Sequence, residues 1–125
     1  MAETKEYLIE PLEDGSIMIS EEVIASVAAM AVREVEGVYG LTTGNGLDLL
    51  SLLNIKNLRK GIRVTLGEGT MEIACNLIVK MGTSVMDVAK KVQEKIVSEV
   101  EAMTGVRPTR VNVNVCGVAV PKNKE

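Results

Sequence analysis

The sequence predicts an α+β fold, a two-layer sandwich in which a small mixed sheet carries two main helices on one face. Three observations predict it. Apolar and polar residues alternate through 62–80 on both sides of a Gly67-Glu68-Gly69 turn, which is the period of a hairpin with one buried face. Val85, Val88, Ala89, Val92, Ile96, Val100 and Met103 then recur at helical spacing. The period of two returns at Val111, Val113 and Val115. Together they form a β-hairpin–α–β unit. The helix carries the chain back, so the strand over 71–80 and the strand over 110–115 run parallel through a right-handed crossover.

The elements follow in chain order. Residues 1–6 are expected to be a disordered start. Tyr7–Ile9 and Ser16–Ile19 read as two short strands, joined through Pro11 and an Asp14-Gly15 turn. Ser20 is a suitable N-cap, and Glu21 and Glu22 then sit at the positive end of a helix dipole. The first helix runs through Val23, Ile24, Val27, Ala28, Met30, Ala31 and Val35, with Gly37 expected at C′. Its alanines make one side small enough for close packing. Val38 to Leu41 is a candidate short strand. The second helix is capped by Ser84, with Asp87 three residues on, and is ended by Gly105 and Pro108. Beyond Cys116 the apolar parity shifts to Val118 and Val120, so a bulge is expected at Gly117. The domain is expected to span 7–120, with 121–125 a flexible tail.

Residues 41–60 form a variable, leucine-rich loop or short helix. Gly44-Asn45-Gly46 is a turn, after which Leu47, Leu49, Leu50, Leu52, Leu53, Ile55 and Leu58 crowd together. A short helix would set Leu49, Leu52 and Leu53 on one side, with Lys56, Arg59 and Lys60 at its edge. Two readings stand: a lid that closes the core, or a docking surface for a partner helix or an anionic membrane.

Composition narrows the function. The 125 residues are one domain's worth and 46% of them are hydrophobic, yet there is no Phe or Trp and only two Tyr, so the core must be aliphatic. The same lack removes the stacking platforms that single-stranded nucleic acid binding uses. A net charge of -3 gives no basic footprint, which makes nucleic acid an unlikely partner. No stretch reaches the about 20 apolar residues of a transmembrane helix, and no secretory signal is visible at the start. The chain is therefore expected in the cytoplasm, peripheral to a membrane only through a partner. Cys75 shares strand parity with Ile73 and Leu77 on the core side, and Cys116 shares parity with Asn112 and Asn114 on the polar side. They are expected as two free thiols in a reducing compartment.

No catalytic, cofactor-binding or metal-ligating set emerges. With no histidine, no Ser/His/Asp or Cys/His arrangement is available. The glycine pairs lie in turns without the strand-to-helix context of a phosphate loop. What remains is the sheet face opposite the helices, expected to carry Arg63, Thr65, Glu72, Asn76, Lys80, Arg110, Asn112 and Asn114. Asn76, Asn112 and Asn114 should lie together there, on a hydrated face or on a protein contact helped by an unprotected edge strand.

Three stretches carry a resemblance: GSIMISEEVIASVAAMAVREVEGVYG at 15–40, GIRVTLGEGTMEIACNLIVKMG at 61–82, and the run 84–118 closing on VNVNVCGV. In order and spacing they resemble the alkaline shock protein 23 family of Gram-positive envelope stress response proteins. The resemblance covers most of the chain except the termini and 41–60. It implies a small cytoplasmic α+β protein without enzymatic activity, engaged in cell-envelope homeostasis through protein contacts and self-association. It implies, as partners, a membrane-anchoring protein or a lipid-synthesis enzyme. The compact chain, lacking a long acidic tail, is similar to the branch tied to fatty-acid synthesis genes. The alternative reading is a regulator that binds nucleic acid or a small ligand.

Overall fold

The computed structural model describes residues 7–42 and 61–120. Both ends and the stretch 43–60 lie outside the described residues, and with them the two readings of the leucine segment.

The first two strands, β1 (Tyr7–Leu12) and β2 (Gly15–Ser20), pair antiparallel as a sheet of their own. This corrects the expectation of a single sheet. The ribbon is longer than the sequence implied, and only Leu8 and Ile19, which face each other across it, pack against the core. Helix α1 (Glu21–Arg33) follows at once, the Ser20 hydroxyl accepting the Val23 N–H at 3.3 Å. It buries Ile24, Ala25, Ala28, Ala29, Ala31 and Val32, whereas Val23 and Met30 face out. The small residues therefore form the packing stripe, because they let the helix lie close to its neighbours.

The helix ends four residues before Gly37, with Glu34 as its C-cap, so Gly37 is not its C′ residue. Gly37 has another task. Its φ is +100°, and a Cβ there would stand 2.7 Å from Val88 Cγ2 of the second helix. Only glycine lets the chain turn so near that helix.

Strand β3 (Val38–Leu41) leads into a sheet completed by β4 (Ile62–Gly67), β5 (Thr70–Lys80) and β6 (Arg110–Ala119). β5 is the central strand. β4 pairs antiparallel with its first half, Ile62 opposite Cys75, and β3 pairs antiparallel with its last part, Val38 opposite Val79. At Asn76, between the two, the backbone N–H donates to the Gly61 carbonyl at 2.9 Å and the backbone carbonyl accepts from the Thr42 N–H at 3.0 Å. β3 and β4 thus form one interrupted line along the same side of β5. Thr42, after β3, and Gly61, before β4, are both bonded to the same residue of β5. That pinch demands glycine: Gly61 has φ +90°, and a Cβ would stand 2.5 Å from the Thr42 carbonyl oxygen.

β6 lies on the other side of β5, parallel to it from Glu72↔Arg110 to Lys80↔Ala119. The register slips between Leu77 and Ile78, where Cys116 is the unpaired residue, so the expected break falls one residue before Gly117. The second helix, α2 (Val85–Thr104), connects the parallel strands. The Ser84 hydroxyl accepts the Asp87 N–H at 3.4 Å, and Gly105 caps the far end. Val88, Val92, Ile96 and Val100 are buried, while Val85 and Met103 at the ends of the expected stripe are exposed.

The core is aliphatic. Ile62, Val64, Leu66, Met71, Ile73, Cys75, Leu77 and Val79 face the helices at no more than 4% exposure, and no polar or charged residue is buried among the described residues. α1 and α2 are also joined at the surface, where Lys95 contacts Glu34 at 3.3 Å and Glu99 at 3.4 Å.

Candidate interaction surface

Among the described residues no group of three or more acidic, histidine or cysteine side chains is placed to hold a metal ion. Both cysteines are free thiols, Cys75 buried in the core and Cys116 exposed at the bulge. Burial, and to a smaller degree the nearby Cys116, pushes the Cys75 thiol up to about 12, which keeps it protonated and unreactive at neutral pH. No described helix is long and apolar enough to cross a membrane.

The surface that remains is the open face of the sheet and its β6 edge. Strand alternation sends every second residue of β4, β5 and β6 away from the helices, and the register arranges these residues in rows. Thr65, Glu72 and Arg110 form one row, and Arg63, Ala74 and Asn112 the next. Asn76 and Asn114 follow, with the Asn114 amide donating to Asn76 Oδ1 at 2.9 Å. All three predicted asparagines are therefore on one patch, and two of them are bonded. Asn112 is exposed beside Ala74, and its side chain makes no hydrogen bond to the described residues. Leu49, Leu52, Leu53, Lys56, Arg59 and Lys60 lie outside the described residues. The described residues on either side of their segment, Thr42 and Gly61, both hydrogen-bond to the Asn76 backbone.

β6 pairs with β5 and with no other strand among the described residues. Because Asn76 directs its backbone groups to Thr42 and Gly61, alternation turns the odd-numbered residues of β5 toward β6. The register then turns Arg110, Asn112 and Asn114 toward β5 and leaves the backbone of Val111, Val113 and Val115 on the outer edge. Gln93 of α2 reaches that edge, its side-chain amide donating to the Val111 carbonyl at 2.8 Å. An open groove of about 620 Å³ runs along that edge, lined by Met86, Ala89, Lys90 and Gln93 of α2, by Ala74 of β5 and by Val111–Asn114 of β6.

Sequence reasoning missed a second apolar surface. Tyr7, Ile9, Leu12, Ile17 and Met18 of the β1–β2 ribbon are all exposed. The signal was available, since apolar residues occupy adjacent positions in both strands and a two-stranded ribbon has no interior for both faces.

A family model described as having a cell envelope-related function matches residues 10–120. A Bacillus subtilis protein, YloU, is 34% identical over 108 residues, covering 85% of this chain and 90% of its own length. A second, YqhY, is 29% identical over 104 residues, covering 83% and 77%. A Streptococcus pyogenes protein named as a stress response regulator gls24 homolog is 24% identical over 112 residues, covering 89% of this chain and 61% of its own length. Among solved structures, the MamM CTD gives a TM-score of 0.48 at 14% identity, over 78% of this chain and 96% of that one, a likeness too low to carry any inference.

Proposed function

This chain belongs to the alkaline shock protein 23 family, whose members are described by a cell envelope-related function, and from that membership we propose that it is a non-catalytic envelope homeostasis protein acting through protein contacts. The observation that supports this reading most is the division of the sheet. One face is wholly committed to an aliphatic core, and the other is a solvated polar face bordered by β6, whose outer edge pairs with no other strand among the described residues. A surface of that kind offers backbone pairing and amide side chains but no nucleophile or acid–base pair set in a cleft. Self-association and contact with a membrane-anchoring or lipid-synthesis protein, in the cytoplasm, complete the proposal. The relatives named for stress response support its setting.

Crosslinking in the native cell followed by affinity capture tests it. Membrane and soluble fractions are compared, and a chain carrying Asn76→Ala and Asn114→Ala serves as control. The proposal expects an envelope or lipid-synthesis protein with the wild-type chain and less of it with the control. Recovery of the chain alone from both fractions would overturn it.

A further inference from the structure

We infer that the outer edge of β6 is a self-pairing edge, at which a second copy of this chain adds its own β6 antiparallel across a twofold axis through Val113. The inference names a partner for the contact surface proposed above and rests on that reading.

An unpaired edge strand is a template for another strand, and soluble proteins blunt such edges with lysine, proline or a short length. Between Val111 and Val115 β6 carries no lysine or proline, and its bulge comes only at Cys116. The strand has instead a sequence that reads the same in both directions, Val111-Asn112-Val113-Asn114-Val115. Antiparallel pairing about a twofold axis requires self-complementarity, because whatever residue i meets must meet residue i in return. Centred on Val113, the palindrome supplies it. Val113 lies opposite Val113, Asn112 opposite Asn114 and Val111 opposite Val115 of the second copy, so the valines stay on the helix side and the asparagines on the open side.

The backbone is set for this register. Val111, Val113 and Val115 carry the outward N–H and C=O groups, and these are the residues the register pairs. The Val111 carbonyl already accepts from Gln93, but a carbonyl oxygen has a second lone pair. The bulge at Cys116 ends the regular edge where the palindrome ends. Charge permits the match, since Arg110 is the only charged residue on the strand and falls opposite Cys116 rather than another arginine. The side chains agree as well. Asn114 donates one amide hydrogen to Asn76 and keeps its oxygen and second hydrogen, while Asn112 has its whole amide free of the described residues. Each Asn76–Asn114 pair would extend onto Asn112 of the second copy, making a ladder across the axis. A contact made along one strand edge is expected to be reversible, so the dimer should dissociate on dilution.

Sedimentation velocity of the purified full chain over a dilution series tests the pairing, with two variants. N112D/N114D alters only exposed side chains and sets aspartates against aspartates across the axis. V113P removes the outward N–H at the axis and no bond to β5. Each is expected to weaken the dimer at least roughly tenfold, the aspartate variant more at low salt. Circular dichroism reports the fold of both, and should V113P misfold, N112D/N114D decides. A third arm mixes N112C chains with N114C chains, both also carrying C116S, under mild oxidation. The register predicts a covalent dimer in the mixture and none in either chain alone. A chain that stays monomeric at its highest attainable concentration would overturn the inference. So would a dimer that neither variant weakens, or a crosslink that forms equally in the unmixed chains. If the chain is monomeric yet still recovers an envelope protein, the edge pairing and the self-association are wrong and the envelope contact of the functional reading stands. If it dimerises through this edge but recovers no envelope protein, the pairing stands and the functional reading falls.

Discussion

β5 has two faces built from alternate residues. Toward the helices, Met71, Ile73, Cys75, Leu77 and Val79 are at most 1% exposed. On the other side Glu72 and Lys80 are exposed, and Ala74, Asn76 and Ile78 are half-buried under no covering layer among the described residues. Antiparallel and mixed sheets tolerate this because one buried face suffices to hold the strands. The stability of the fold is therefore carried on one side of the strand, and the open side can be altered while it is kept.

The largest contrast between the faces should appear in thiol reactivity. A bulky thiol reagent should modify Cys116 in the native protein and reach Cys75 only when the core opens. For a stability in the usual range that protection is at least about a thousandfold in rate. Two thiols reacting at similar speed would erase the distinction. Truncation comes next. Ile73→Ala leaves a cavity under both helices and should lower stability by about 2–5 kcal/mol in denaturant titration, whereas Asn76→Ala on the opposite side should move it by roughly 0.5 kcal/mol or less. Gly37→Ala falls between, at roughly 1–3 kcal/mol, because the added Cβ meets Val88 at 2.7 Å in a backbone conformation that alanine resists. An unchanged melting point would mean that α2 gives way there.

The smallest effect concerns Lys95, which links the helices on the covered side. Hydrogen bonds that Lys95 donates to Glu34 and then to Glu99, followed by the carboxylates' charges, raise its folded value above the ordinary 10.5. A raised value favours the folded state fully below the ordinary value, and the contribution is lost as pH climbs through the raised one. Lys95→Met should therefore be slightly less stable than wild type at neutral pH. The two melting curves should converge only in strongly alkaline solution, and a gap that persists there would show that packing of the side-chain stem, rather than its charge, is responsible.

Most of the fold from Ile62 to Val115 was legible because alternation and helical spacing there are long and consistent, and the open-face residues followed from parity. The asparagine patch was legible for the same reason, since Glu72↔Arg110 through Asn76↔Asn114 keeps the strands in step. What sequence did not show depends on contacts between distant parts. Nothing local says that the exposed Met30 and Val23 would yield the core to Ala25 and Ala29, because the choice depends on how near the sheet lies. Gly37 was assigned to a helix end when a helix fifty residues later required it. The most consequential omission was the junction at the Asn76 backbone, where β3 and β4 meet. Eighteen residues separate Thr42 from Gly61, and no period crosses that interval.

That meeting point has a consequence for how the chain can change. Because Thr42 and Gly61 are both anchored to Asn76, whatever connects them starts and finishes at one place on a finished scaffold. Lengthening such a connection costs only about 0.6 kcal/mol for each doubling. The interval is a socket, into which related chains can insert different text without renegotiating any strand register, and where an engineer can splice a reporter or a binding peptide.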